Sequence, residues 1–466
     1  MNAAARALGW LGSPSRLGPV AGSIREGVLR LVAAALQILA TIVIVRSLEP
    51  AIVGIFLRGV VIAAALAALL RYRYELFIAP YIAGHDRARL GVPVDALLVE
   101  LNQRFLIRCA LVCGVLLVVT SDLDVLEPHR FPFLQTYLPF VLAIPFIGLA
   151  QMLGSALRAA ERTLLSMVCS AYTVNTAILC TAAVALPSAP LDLLAWAFFA
   201  GCIVAALLAC LFAWLVFRTP AVDGSVGAIA AGTDRVSTGA GDALAGAGDV
   251  RTGAWWQVHE SVAANSAIAI ALAFTLWGPS VIVAVLASAE EMARYGVALR
   301  TAQIMDFLLP ALTFVLCAER PILRRTVEES GQRPRLRQSL ATAAVASSVT
   351  LVVLLLATPR TLALYGDPYR DLVVVYVVLL SAHWINGAGR PAVRFLVANW
   401  NASAIRRTLE AAAVAATLTT AAGVAWNAPL AAAVATLLAA LIVNTLAAAA
   451  ASKGPRPSRS LERPPP

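Results

Sequence analysis

Apolar residues lie in long runs along the chain, and short polar loops separate the runs. A helix needs about 20 apolar residues to cross roughly 30 Å of hydrocarbon, and about twelve runs approach or reach that length. A long polar interval divides these runs into two equal groups. We predict membrane-spanning helices at residues 28–45, 53–74, 105–120, 138–157, 165–186, 191–216, 263–288, 297–317, 340–357, 372–385, 409–424 and 430–450.

The composition agrees with this pattern. Of the 466 residues, 60% are hydrophobic and only 13% are charged, and the mean hydropathy is +0.81. Soluble domains carry about one quarter charged residues. The sequence therefore predicts an all-α polytopic membrane protein.

Arginine side chains concentrate in every second loop, for example Arg25 before the first span and Arg158 after the fourth. The intervening loops, such as 121–128 and 186–190, are short and acidic or neutral. Because Arg and Lys accumulate on the cytoplasmic side, we predict that both termini are cytoplasmic. Arginines near anionic membrane lipids explain the net charge of +10 without a nucleic-acid partner.

The polar interval has the composition of a linker. Gly, Ala, Ser, Thr and Asp dominate it, and it has no apolar periodicity, which is typical of flexible chain. We predict a six-helix N-terminal lobe at 1–217, a flexible cytoplasmic linker at 218–254, a six-helix C-terminal lobe at 255–450 and a disordered cytoplasmic tail at 451–466.

An internal repeat links the two predicted lobes. The segment 48–59 (LEPAIVGIFLRG) aligns with 290–301 (EEMARYGVALRT), which superposes Gly54 on Gly296 and Arg58 on Arg300. Both copies enter the second helix of their half. Two repeats in the same orientation are a standard plan among transporters.

Enzymatic motifs are missing from the sequence. It contains no phosphate-binding Walker loop, no HExxH and no GxSxG. Its seven cysteines fall in apolar runs without metal-ligand spacing. We therefore predict a protein that is not an enzyme and that has no metal and no cofactor.

Four segments carry a family resemblance. They are VIVRSLEPAIVGIFLRGVV (43–61), LLRYRYELFIAPYIA (69–83), SAEEMARYGVALRTAQIMDFLLPALTFVLCAERPILRR (288–325) and LYGDPYRDLVVVYVVLL (364–380). In this order they resemble the polysaccharide-exporter (Wzx-type) branch of the multidrug/oligosaccharidyl-lipid/polysaccharide (MOP) transporter superfamily. The resemblance implies about twelve helices in two lobes around a central cavity. It also implies alternating access that moves lipid-linked oligosaccharides outward across the bacterial inner membrane.

Charges at the inner end of the second span have two interpretations. Arg71, Arg73 and Glu75 are either interfacial anchors, with Arg71 and Glu75 paired one helical turn apart, or a basic rim that receives a pyrophosphate head group. Both can hold at once. Arg30 in the first span and Arg300 in the eighth are further candidates for contact with substrate in the cavity.

Asp306 lies about 15 Å along the eighth span, near the midplane. A carboxylate there is costly unless it is paired or faces a wet cavity. Asp306 is either a structural ion pair, an ion-coupling site, or the counter-ion of a cavity arginine.

Gly278, Pro279 and Pro310 interrupt helical runs and are candidate hinges, with packing kinks as the alternative.

Three classes of function remain open. The leading one is a flippase for lipid-linked oligosaccharide or polysaccharide precursors, since arginines outnumber carboxylates within the spans. Its expected partners are that substrate, membrane lipids, and the polysaccharide polymerase and glycosyltransferases of the same synthesis. The second class is a drug or cation exporter of the same fold. The third, a membrane polysaccharide polymerase, is weakened because no large outer loop with a carboxylate cluster is evident.

Overall fold

The chain forms long helices where its apolar runs are long, because a helix satisfies its backbone hydrogen bonds within one segment. The computed structural model describes residues 18–82, 93–126, 133–160, 162–169, 191–218, 258–260, 262–263, 265–309, 332–398 and 402–452, and these contain no β-strand. The helices are α1 (Gly18–Ser47), α2 (Pro50–Ile82), α3 (Val94–Leu126), α4 (Phe133–Ala159), α5 (Thr163–Met167), α6 (Leu191–Arg218), α7 (Ser266–Leu286), α8 (Ala289–Ala302), α9 (Gln332–Ala363), α10 (Val373–Ala398) and α11 (Ala402–Ser452), with a 3-10 helix Asp367–Leu372 before α10.

Most predicted spans correspond to one of these helices. Within the described ranges, eight helices are long and apolar enough to cross a membrane, and α1 adds the shorter apolar stretch Leu31–Ser47. The predicted spans 165–186 and 297–317 lie partly outside the described residues, as do nearly all of the linker and the tail. The prediction of an all-α polytopic membrane protein is confirmed.

Two helices are longer than their apolar runs. α3 begins at Val94, about three turns before the predicted span, because the preceding residues form an amphipathic start that the ion pair of Arg104 Nε with Glu100 Oε1 (2.5 Å) stabilises. α10 continues past the predicted end to Ala398. There Gly389 allows close approach, since a Cβ at that position would lie 1.9 Å from Asn444 Oδ1 of α11.

The last two predicted spans form one hairpin of helices within α11. Its helical backbone is interrupted at Asn427, with φ −158° and ψ 90°. The Asn427 Oδ1 accepts a hydrogen bond from Leu430 N at 3.0 Å, which caps the second half. Small side chains let the two halves pack closely, and these are Ala412, Ala416, Ala435 and Ala439.

Following the division predicted from the sequence, we call α1–α6 the N-terminal lobe and α7–α11 the C-terminal lobe. α4 packs on α2, α3 and α6, whereas α11 packs on α7 and α10. The main contacts between the lobes are those of α2 with α7 and α8.

The repeated glycines lie at this interface. A Cβ on Gly54 would lie 1.7 Å from the Ala289 carbonyl oxygen, and a Cβ on Gly296 would lie 2.6 Å from Leu57 Cδ1. We call these two approaches the glycine contact. Arg58 Nη2 donates to the Ala287 carbonyl at 2.7 Å beside it. The lobes are therefore closed against each other at the end of the bundle that we predict to face outward.

The candidate hinges have different surroundings. α7 runs through Gly278 and Pro279 as one helix, and both residues are buried. Pro310 lies outside the described residues. The helical pattern is instead interrupted at Gln303, between α8 and a helical segment at 304–309. A hinge at Gly278, Pro279 or Pro310 stays a prediction.

Candidate functional site

Arg71 and Glu75 form the predicted ion pair one turn apart on α2. Their side chains are only 11% and 16% exposed. Ser155 of α4 donates to Glu75 Oε1 at 2.9 Å. The guanidinium of Arg71 also lies over the Tyr72 ring, 4.6 Å from its centroid. Glu75 is thus held by two neighbours, and Arg71 by an anion and an aromatic face.

Arg73 and Arg108 share the ring of Tyr74. Their guanidinium carbons lie 4.7 and 5.7 Å from its centroid, and Arg73 Nη2 donates to the Tyr74 hydroxyl at 2.9 Å. Among the described residues, no carboxylate lies at ion-pair distance from either arginine. Arg108 comes from α3, so two helices contribute positive charge to one place.

The arginine cluster, defined as Arg71, Arg73 and Arg108, retains unused hydrogen-bonding capacity. The Nε atoms of Arg71 and Arg73 are buried, and no partner for them occurs among the described residues. A buried donor without a partner costs about 1–3 kcal/mol. Such donors favour a site that binds an acceptor, because a bound oxyanion would remove this cost.

The cluster lies beside a contact between the lobes. Tyr72 is buried with Ala269 and Ala273 of α7. Its hydroxyl accepts a hydrogen bond from Trp277 Nε1 at 3.4 Å. A change in the relative position of the lobes would therefore alter the surroundings of Arg71, the neighbour of Tyr72.

Arg300 lies on α8 at a second contact between the lobes. Gln37 of α1 directs its Nε2 toward the Arg300 carbonyl at 3.5 Å and toward Gln303 Oε1 at 3.2 Å. Arg300 is partly exposed, and none of the described carboxylates lies at ion-pair distance from it. The other candidate of the first span, Arg30, is on α1, but its side chain lies outside the described residues.

Asp306 is paired with a histidine. Its Oδ2 lies 2.9 Å from Nδ1 of His383 on α10, and the Asp306 side chain is 39% exposed. This arrangement fits both the structural ion pair and the ion-coupling site that the sequence left open. In the described part of the chain, no three His, Cys, Asp or Glu side chains are grouped closely enough to hold a metal ion.

An open groove of about 420 Å³ runs along α1 and reaches the segment after Gln303 at Ile304. Its lining is apolar and includes Leu31, Ile38 and Ile42 of α1 together with Ile304. The candidate arginines are not among its lining residues. This space between the lobes suits a hydrocarbon chain better than a charged group.

The structure brings some of the predicted residues together and leaves others apart. Arg71 and Glu75 are paired, and Arg73 lies on the same turn of α2 but contacts Tyr74, whereas Arg300 and Asp306 are on the opposite lobe. Arg71 is 14 residues beyond Leu57 and 17 beyond Gly54 on α2, which places it about 20 to 25 Å from the glycine contact. Sequence reasoning missed Arg108 and the pairing of His383. The available signal for Arg108 was its place as the fourth residue of the predicted span 105–120.

Comparison with known proteins gives a structural likeness only. No family model matches the chain, and no curated protein matches its sequence. An inward-facing MATE-family multidrug resistance transporter of the MOP superfamily has a TM-score of 0.60 at 14% identity, over 92% of this chain and 98% of that one. The lipid II flippase MurJ, in an inward closed conformation, aligns with a TM-score of 0.62 at 11% identity, over 92% of this chain and 87% of that one.

An outward-facing MATE-family transporter of the MOP superfamily aligns with a TM-score of 0.54 at 12% identity, over 93% of this chain and 96% of that one. Identities this low establish architecture rather than activity. The chain has the twelve-helix, two-lobe membrane fold shared by MATE transporters and the lipid II flippase.

Proposed function

We propose that this protein is a MOP-type transporter that moves a lipid-linked oligosaccharide or polysaccharide precursor across the bacterial inner membrane by alternating access. The Wzx-type resemblance of the sequence supports this proposal, and so does the fold that the chain shares with a lipid II flippase. The substrate would carry its pyrophosphate to the arginine cluster and its lipid chain to the apolar space along α1.

The arginine cluster is the observation that carries the proposal. Among the described residues, one of these three guanidinium groups, that of Arg71, has a carboxylate partner, and Arg71 and Arg73 each keep a buried Nε without a partner. Guanidinium forks bind phosphate oxygens in pairs. A cationic drug would meet repulsion at this place, so the cluster favours an anionic head group.

A drug or cation exporter remains the second candidate, because MATE transporters share the same fold. The apolar groove and the carboxylate of Asp306 are the features that favour it. Vesicles that contain the protein distinguish the two candidates, since one predicts movement of a lipid-linked pyrophosphate and the other predicts movement of an organic cation.

We expect both termini and the linker to be cytoplasmic. A reporter that is active only in the periplasm should be silent when it is fused after Ala450 or inserted near Gly239. The same reporter inserted at Asn427, between the two halves of α11, serves as the positive control and should be active. Activity at Ala450 or Gly239 would reverse the proposed orientation.

Replacement of Arg71 and Arg73 by lysine should reduce flipping by at least about tenfold. An ammonium group keeps the charge but cannot make the paired hydrogen bonds of a guanidinium, and a lost hydrogen bond to a charged group costs about 1.5–3 kcal/mol. Replacement by glutamine should reduce flipping further. The measurement is the accumulation of lipid-linked oligosaccharide in the inner leaflet of cells.

Arg406→Lys is the matched control for this pair. Arg406 also has a carboxylate partner one turn away, Glu410, but it is exposed, so its replacement should leave flipping unchanged. Flipping at the wild-type level in the Arg71→Lys, Arg73→Lys variant would reduce both arginines to interfacial anchors.

A further inference from the structure

His383 and Asp306 connect α10 to the segment that follows α8. Nδ1 of His383 and Oδ2 of Asp306 lie 2.9 Å apart. The His383 side chain is 10% exposed, and neither ring nitrogen has a partner that meets hydrogen-bond geometry among the described residues. The contact includes a charge–charge attraction only when the imidazole is protonated.

Within the described ranges, one further charge acts on both members of this pair. Arg390, two turns further along α10, is the additional charged group that affects both members. On the neighbouring helices, Ser347 of α9 lies beside Gly387, Asn444 of α11 donates to Asn386, and Gln37 of α1 donates to Gln303. None of these three side chains titrates near neutral pH, so among these described groups it is the imidazole that changes charge there.

The pair lies next to the interruption of the eighth span. Gln303 ends α8 with φ −61° and ψ −14°, and Asp306 N donates to the Gln303 carbonyl at 2.9 Å, three residues back instead of four. The side chain of Gln303 accepts the hydrogen bond from Gln37 of the opposite lobe at 3.2 Å. One short turn thus joins the ion pair to a contact between the lobes.

We propose that His383 and Asp306 form a proton-binding site, and that the turn at Gln303 transmits its occupancy to the contact with Gln37. With the proton bound, imidazolium and carboxylate hold the segment 304–309 against α10. When the proton leaves His383 for water on the exposed side of Asp306, the charge–charge attraction is lost and the segment is held less tightly. The inference rests on the proposed alternating access, and it makes the proton the ligand that biases the two arrangements of the lobes.

The first test measures the proton directly and needs no transported substrate. The chain contains four histidines, so ring-labelled histidine gives few signals in the spectrum of the full-length protein, and His383→Gln identifies the one of interest. We expect this signal to change with pH, and Asp306→Asn to move the midpoint of that change to lower pH, because the carboxylate stabilises the imidazolium.

His259→Gln is the control for this assignment. Burial, and then the charge of Arg104, lower the pKa of the His259 imidazole below its ordinary value. Its removal should leave the His383 titration unchanged. A His383 signal that stays constant across the pH range, or that titrates identically in Asp306→Asn, would overturn the proposed site.

The second test measures transmission to the lobes. Spin labels are placed at exposed residues of each lobe, Ile107 of α3 and Val345 of α9, in a background without native cysteines. The distance between the labels should change with pH in the wild type, and in His383→Gln it should stay constant. A pH-dependent distance that persists in His383→Gln would overturn the transmission. Both tests hold or fail independently of the proposed substrate, because neither includes it.

Discussion

Gly54→Ala is expected to reduce transport by at least about tenfold and to hold the lobes apart at the predicted outer end. The added Cβ would lie 1.7 Å from the Ala289 carbonyl oxygen. Because that atom belongs to the backbone, no side-chain rotation removes the clash, and the two helices must separate. The buried Ala284 at this interface, replaced by cysteine in a cysteine-free background, should then react faster with a membrane-impermeant thiol reagent.

Gly114→Ala is the matched control. Gly114 is also a helical glycine, but nothing lies within 4 Å of its position for a Cβ. Its replacement should keep wild-type transport and slow labelling of the cysteine at 284. If Gly54→Ala labels as slowly as the wild type and transports equally well, the glycine contact is not a gate.

Arg300→Gln should also abolish most transport while leaving expression and the melting temperature nearly unchanged. Arg300 is partly exposed at a contact between the lobes and has no described carboxylate at ion-pair distance, so its loss leaves no buried anion without a partner. If Arg300 binds the substrate anion, the loss of its hydrogen bonds should cost about tenfold or more in transport. Proteoliposomes provide the transport rate, and thermal unfolding provides the stability.

Arg294 offers the comparison for Arg300. It lies on the same helix, α8, and its side chain is exposed. Arg294→Gln removes the same charge from the same element and should retain wild-type transport. Equal rates in the Arg294 and Arg300 variants would assign Arg300 to packing or solvation alone.

Hydropathy predicted the helices well because hydrocarbon imposes a simple rule of length and composition on each span. It was least accurate for α3 and α10, whose polar extensions do not need a membrane. The internal repeat identified Gly54 and Gly296 from the sequence, and both lie at the contact between the lobes. This agrees with the rule that glycine within a helix often marks close packing. The pairing of Arg71 with Glu75 followed from helical spacing alone.

Contacts between distant segments could not be read in the same way. His383 and Asp306 are on different helices, and no periodicity indicates which side chains face each other across a lobe. The helix-breaking property of proline led us to predict hinges at Pro279 and Pro310, but α7 is continuous through Pro279. The interruption at Gln303 has no glycine or proline, and it coincides with the side-chain hydrogen bond from Gln37. The turn at Gln303 therefore coincides with a contact between distant segments, which local sequence propensity does not reveal.

The central claim is best tested with purified protein in vesicles that contain a fluorescent lipid-linked oligosaccharide pyrophosphate. A membrane-impermeant quencher reports how much of the lipid is exposed on the outer leaflet over time. We predict that the wild-type protein makes the inner pool accessible, that the Arg71→Lys, Arg73→Lys variant does so at least about tenfold more slowly, and that an organic cation does not move. Movement of the cation without movement of the lipid-linked pyrophosphate would contradict the account.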